Sequence, residues 1–339
     1  MENIKFYDAK RAPFTLYGYF KEPHTFKRID EKLLLPISKN LAEIGKMSSG
    51  LRIHFITNST VIHLKVKEKY NAFSHMPLTG VSGFDLYRKK GKTYTYIKSF
   101  IPPLNFTDGF ISIAKDLEAK PTEYVLYLPL YNEVLDLEIG LERGAILKEG
   151  TKYSFPGQVV FYGSSITQGG CASRPGNSYP AILSREFDFD FVNLGFSGSC
   201  FGEQEMAKLI SEAPGTIFVL DYDHNAHSIV ELKATHLAFF ETIRKIHKDL
   251  PIIIMSKPIF IPSTLDTRRK ELIKETYTTF KNKRDNNVYF VDGSTFFPKN
   301  MKESATVDGA HPNDLGFWFM KEALVKPLET IIKNMKQEK

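Results

Sequence analysis

The sequence predicts two domains of different class: an all-β sandwich over residues 1–150, then an α/β domain with a parallel sheet over residues 151–339. Three observations predict this. A chain of 339 residues exceeds one ordinary core and suits two domains. Its first part alternates apolar and polar residues with the period of half-buried strands. Its second part alternates short, continuous apolar runs with helical patterns, as strands covered on both faces require.

In the first part, Leu51, Ile53 and Phe55, then Ile62, Leu64 and Val66, are set against Arg52, His54, His63 and Lys65, so the polar set is expected to face solvent. Asn58 and Ser59 supply the turn between these runs. Further strands are expected at 84–88, 94–100 and 124–130, which completes an antiparallel sandwich. After Gly150 the texture changes, and 148–155 is the expected seam. Apolar runs at 159–162, 189–194, 216–220, 252–256 and 288–291 read as five buried strands. Between them lie helical patterns, the clearest built on Ile229, Leu232, Phe239, Ile243, Ile246 and Leu250. Strand alternating with helix implies right-handed crossovers and ligands bound beyond the carboxyl ends of the strands.

Composition narrows the function classes. Hydrophobic residues at 42% and charged residues at 25% argue for an ordinary globular chain. Lys plus Arg exceed Asp plus Glu by 45 to 39, and the excess is spread along the chain apart from a short basic run at 333–339, so no nucleic-acid partner is expected. Residues 1–10 carry charges and no apolar targeting core, and no stretch approaches the ~18 apolar residues of a membrane span. The expectation is a cytoplasmic protein without a membrane partner, in which a homodimer is allowed. Cys171 and Cys200 are too few for a disulfide scaffold and are expected as free thiols.

The chemistry is expected just after each apolar run. The first strand leads into Gly163-Ser164-Ser165-Ile166-Thr167-Gln168-Gly169-Gly170, which would set a hydroxyl at the carboxyl edge of the sheet. The same hydroxyls could equally cap a helix or close a tight turn. The second strand leads into Asn193-Leu194-Gly195-Phe196-Ser197-Gly198-Ser199, whose glycines let backbone N–H groups approach a ligand. The third runs into Asp221-Tyr222-Asp223-His224-Asn225-Ala226-His227, a polar cluster open to two readings, a substrate site or ligands for zinc or manganese. Last, Asp308-Gly309-Ala310-His311 places an Asp three residues before a His in a loop, where it can orient the imidazole.

A serine, backbone donors, an amide side chain, then Asp and His, each at a strand end, are what acyl transfer requires. With these blocks the chain resembles the SGNH, or GDSL-like, hydrolases over residues 159–324: Gly163-Ser164-Ser165 matches the first block, Gly198 the second, Asn225 the third, and Asp308 with His311 the fourth. Gly83-Phe84-Asp85-Leu86-Tyr87 resembles the Gly-x-Asp-Leu-Tyr motif of a bacterial subgroup with an N-terminal β-sandwich. The chain departs from the family pattern in having Ser164 where an Asp commonly precedes the nucleophile, and Asp223-His224-Asn225-Ala226 in place of Gly-x-Asn-Asp. No G-x-S-x-G elbow of the α/β-hydrolase kind is present.

The resemblance implies a flavodoxin-like three-layer α/β/α domain behind a jelly-roll-like sandwich, and a serine esterase that needs no cofactor or metal. Ser165 would be nucleophile, His311 its base and Asp308 the orienting acid. The oxyanion hole would be the N–H groups of Ser165 and Gly198 with the Asn225 amide, and Asp223, His224 and Arg174 are candidate substrate contacts, Arg174 equally a brace for its loop. Small acyl esters, foremost O-acetyl groups on carbohydrate, are the implied substrates. An acyltransferase acting on a small-molecule alcohol, or a silent carbohydrate-binding protein on the same scaffold, are the alternatives.

Overall fold

The computed structural model describes residues 3–21 and 25–337. Residues 1–2, 22–24 and 338–339, which hold the outermost ends of both expected domain ranges, of the charged start and of the basic C-terminal run, lie outside the described residues.

Among the described residues ten strands build the N-terminal part: β1 (Ile4–Asp8), β2 (Thr15–Tyr17), β3 (Arg52–Thr57), β4 (Ile62–Lys67), β5 (Phe84–Lys90), β6 (Thr93–Phe100), β7 (Phe110–Ala114), β8 (Thr122–Tyr127), β9 (Asp136–Glu142) and β10 (Leu147–Glu149). One sheet runs β1-β9-β4-β7, and the other β10-β3-β8-β5-β6 with β2 added on β3. All their pairings are antiparallel. Between the sheets Ile53, Phe55, Leu64, Phe84, Leu86, Leu126 and Ile139 form the sandwich core, the inward half of the alternation read in the sequence.

The outward half behaves differently on the two sheets. On β4 Lys65 is exposed, as expected, but on β3 both Arg52 and His54 are fully buried. The expectation that they face water fails because the outer face of this sheet is covered by the second half of the chain. Tyr87, Val125 and Tyr127 pack there in one continuous core with Phe161, Phe191 and Tyr179.

That second half holds five parallel strands, β11 (Gln158–Gly163), β12 (Asp190–Gly195), β13 (Gly215–Asp221), β14 (Ile252–Met255) and β15 (Val288–Val291), in the order β12-β11-β13-β14-β15. Renumbered within the domain this is 2-1-3-4-5, the flavodoxin-like order, whose chain reversal beside the first strand opens a crevice at the carboxyl edge. Odd positions of β11, Val159 and Phe161, pack under the helices Tyr179–Phe187 and Asp314–Gln337. Even positions, Val160 and Tyr162, pack under Gln204–Ser211, Ile229–Ile246 and Thr264–Asn282. The strands therefore read as unbroken apolar runs because both faces are covered.

Edge strand β12 is where the two halves lock together. Its outward carbonyls cannot pair with another strand and need donors. Arg52 Nη1 donates to Phe191 O at 3.2 Å and Arg28 Nη1 to Asn193 O at 3.1 Å, both from the N-terminal half and both buried. Arg52 also pairs with the Asp190 carboxylate and donates through Nε to the Tyr153 hydroxyl at 2.8 Å. Arg52→Met is expected to lower stability by about 3 kcal/mol or more, because the Asp190 charge is left without its partner. Urea unfolding checks this, and a loss under about 1 kcal/mol, the range of a surface pair, would show that the clamp carries no load.

Candidate active site

Three strand ends converge on the turn after β11. Ser164 is the N-cap of a single helical turn, Ser165–Gln168, its Oγ accepting from Ile166 N at 3.2 Å. Both readings of these hydroxyls therefore hold, one each: Ser164 caps, and Ser165 Oγ is left free to bond elsewhere. The turn is held from every side. Thr167 Oγ1 donates to Asp221 Oδ2 at 3.1 Å, Asn193 Nδ2 donates to Thr167 O at 2.8 Å, and the Tyr131 hydroxyl, from the sandwich half, donates to Ser165 O at 3.1 Å. Gln168 donates to Leu130 O at 3.1 Å and accepts from Ser197 N at 3.0 Å, so one side chain ties this turn to the sandwich and to the loop after β12. A Cβ on Gly195 would lie 2.1 Å from Gln168 N, which leaves glycine as the residue that lets the two loops meet.

Against Ser165 stands His311, with Oγ to Nε2 at 2.9 Å. His311 Nδ1 lies 2.7 Å from Asp308 Oδ2. An ionised carboxylate only accepts, so the imidazole proton sits on Nδ1 and Nε2 is left as acceptor for the serine hydroxyl. Burial alone would raise the Asp308 carboxyl, but the N–H and side chain of His311 and the N–H of Ala310 all donate to it, and its pKa falls to about 2. Asp308 is thus charged throughout the working range.

Asp223 and His224 make a second chain of the same kind. Asp223 Oδ1 accepts from His224 Nδ1 at 2.8 Å, and His224 Nε2 bonds the Ser164 hydroxyl at 2.5 Å, while Asp223 Oδ2 accepts from Lys257 N at 3.2 Å. Asp223 is buried, so its carboxylate orients His224 and is not open to a substrate. His227 packs its ring 4.6 Å from that of Phe201 and is not grouped with Asp221, Asp223 and His224, so of the two Asp and two His of this segment three come together. Among the described residues two sets come close enough to hold a metal: Asp221, Asp223 and His224, whose His nitrogens are already engaged by Ser164 and Asp223, and His75, Cys171 and His311.

Arg174 resolves in favour of bracing. Its Nη1 donates to Asp85 Oδ2 at 3.0 Å and bonds the Tyr87 hydroxyl, and the guanidinium lies 4.1 Å over the Tyr96 ring. Asp85 Oδ2 also accepts from Gly176 N at 2.9 Å. The Gly-x-Asp-Leu-Tyr residues thus hold the loop that follows the Ser165–Gln168 turn. Asp314 secures its other side, accepting from Ser173 N and Asn177 Nδ2 at 2.8 Å each, at the start of the helix that follows His311. Gly198 has a left-handed φ of 64°, a conformation that favours glycine, and a Cβ there would meet open space. Asn225 sits on the turn after β13, its N–H donating to Tyr222 O at 3.2 Å.

Local reasoning missed Tyr131, Gln168, Asn193 and Asp314, which pin the loops, and His75, whose ring lies 5.3 Å from that of His311. Gln168 and Asn193 stood in the quoted segments, directly beside the residues of interest; nothing in the sequence pointed to the others.

Comparison with known proteins gives the family and the fold. Residues 157–329 match the GDSL-like lipase/acylhydrolase family and residues 4–147 match the Gly-x-Asp-Leu-Tyr N-terminus of SGNH hydrolase-type esterases. A protein described as a GDSL-like lipase from Bacteroides ovatus is 32% identical, with 98% of each chain covered and a TM-score of 0.90. A salicylyl-acyltransferase from a tetracycline biosynthetic pathway shares the fold at 19% identity, with 98% of each chain covered and a TM-score of 0.78. An acetyl xylan esterase from the rumen bacterium Butyrivibrio proteoclasticus shares it at 11% identity, with 96% of this chain and 98% of that one covered and a TM-score of 0.60. No curated protein matches the chain. Fold and family together define a carboxylic ester hydrolase. The chain belongs to the GDSL-like lipase/acylhydrolase family, with the N-terminal sandwich of its SGNH esterase branch.

Beneath the site, Asp221 is fully buried with Oδ1 unpartnered, and burial, partly offset by His224, raises its pKa from 3.8 to about 6. Folded protein therefore holds a proton that unfolded protein has released, and stability falls as pH rises from about 4 to about 6, then levels. Denaturant midpoints across that window check this, and in Asp221→Asn the slope is expected to disappear. An unchanged slope would assign it to another group.

Proposed function

We propose that the chain is a serine esterase that removes small acyl groups, foremost O-acetyl groups from carbohydrate, with Ser165 as nucleophile. The observation that carries this is the hydrogen-bonded chain Ser165–His311–Asp308 at the carboxyl edge of the sheet. His311 Nε2 takes the hydroxyl proton as Ser165 Oγ attacks the ester carbonyl, and Asp308 holds the tautomer and supports the imidazolium. The tetrahedral oxyanion is received by the N–H groups of Ser165 and Gly198 and by the Asn225 amide, one such donor being worth ~3 kcal/mol. His311 then protonates the leaving alcohol, and water attacks the acyl-enzyme with His311 again as base.

The sugar ester reading is supported by the fold shared with carbohydrate esterases. One observation favours a second reading, transfer of the acyl group to an alcohol in place of water: the salicylyl-acyltransferase shares the two-domain architecture over the full chain. A cytoplasmic setting is supported by Cys171 and Cys200, both free and buried.

Acetate release from acetylated oligosaccharides and aryl acetates by wild type and Ser165→Ala tests the proposal. The substitution is expected to lower kcat by ~10⁴-fold or more. A Ser165→Ala enzyme as active as wild type would overturn it, and acyl transfer to added alcohols without hydrolysis would select the second reading.

A further inference from the structure

Beside the Ser165–His311 pair lie two side chains that the proposed mechanism does not use. His75 comes from the sandwich half and sets its ring 5.3 Å from that of His311, at 45°. Cys171 follows the nucleophile turn in a left-handed backbone conformation, φ 71°, unusual for a residue with a Cβ, and its buried thiol donates to His75 O at 3.4 Å. A potential ligand atom from each of His75, Cys171 and His311 lies within 4.8 Å of the other two.

Two imidazoles and a thiol are the donor types that zinc takes. Zn–N and Zn–S bonds of about 2.1 and 2.3 Å in a tetrahedron place ligand atoms about 3.6 Å apart. Side-chain movements of about an ångström would close the present cluster to that size. His311 offers Nε2, because its Nδ1–H is held by Asp308, and a carboxylate on the far nitrogen of a metal-bound imidazole is the arrangement that fixes such a ligand.

We propose that His75, Cys171 and His311 form an inhibitory site for zinc(II), at which the ion takes the lone pair of His311 that Ser165 needs. The Cys171 thiol gives up its proton to solvent on binding, His75 and His311 bind as neutral imidazoles, and the fourth position is open to water. Ser165 then has no base, so the metal is an inhibitor and not a cofactor. The site joins both halves of the chain, His75 from one and Cys171 and His311 from the other. Binding stands independently of the esterase reading; the inhibition rests on it.

Cobalt(II) and zinc(II), added as the metals alone to chelator-treated full-length protein, test the site. Cobalt is expected to produce a thiolate-to-metal charge-transfer band that zinc abolishes by competition, that is absent in Cys171→Ser and that is weakened in His75→Ala. In ester hydrolysis, zinc is expected to inhibit wild type reversibly, with chelator restoring the rate. Its midpoint should rise at least about tenfold in each variant relative to that variant's metal-free rate. Absence of the band in wild type, or equal inhibition of wild type and Cys171→Ser, would overturn the site. A Cys171-dependent band in protein that cleaves no ester without metal would uphold the site while removing the esterase reading.

Discussion

The whole site depends on a turn that is buried on all sides except one. Ser164, Thr167 and Gln168 are wholly enclosed, and only Ser165 keeps a small opening to the outside. Such burial is affordable because the side chains of Ser164, Ser165, Thr167 and Gln168 each have a hydrogen-bond partner. The strand ends of β12 and β13 supply Asn193 and Asp221, and the sandwich supplies Tyr131 and Leu130 O. A hydroxyl held this way has little freedom to leave its hydrogen bond to His311, the positional precision that covalent catalysis demands.

The sandwich is accordingly part of the enzyme's interior. It covers the open edge of β12 with two buried arginines, fixes the loop behind the Ser165 turn through Asp85 and Arg174, and sets His75 against His311. Two adjacent serines each face a histidine and an aspartate, yet their environments separate them. Ser164 Oγ already accepts from Ile166 N and is sealed from solvent, so its His224–Asp223 chain can only hold the helical turn in place. Ser165 keeps its small opening to solvent, and its Oγ bonds His311.

Much of this was legible in the sequence, for physical reasons. Strands covered on both faces read as apolar runs, so all five parallel strands were visible, and the topology directs attention to their carboxyl ends, where Ser165 follows β11 and meets His311. The burial of Arg52 and His54 was hidden, because a polar residue on a strand reads the same whether it meets water or a buried carboxylate. The helix Thr264–Asn282 follows from the alternation of strand and helix, but its stripe is harder to read than that of Ile229–Ile246 because it includes Arg269 and Thr276 among few apolar residues. Asp223 and His224 looked like ligand contacts because their partner, Ser164, lies 60 residues away in the chain. Arg174 was legible only as one of two alternatives, and Asp85 across the interface decides between them.

The most direct test of the central claim is to find which serine reacts. Wild-type protein treated with a fluorophosphonate, which captures an activated serine hydroxyl as a stable adduct, would be digested and the adduct located by mass spectrometry. The account predicts a single adduct on Ser165, lost in His311→Ala. An adduct on Ser164, or labelling of Ser165 that persists without His311, would contradict it.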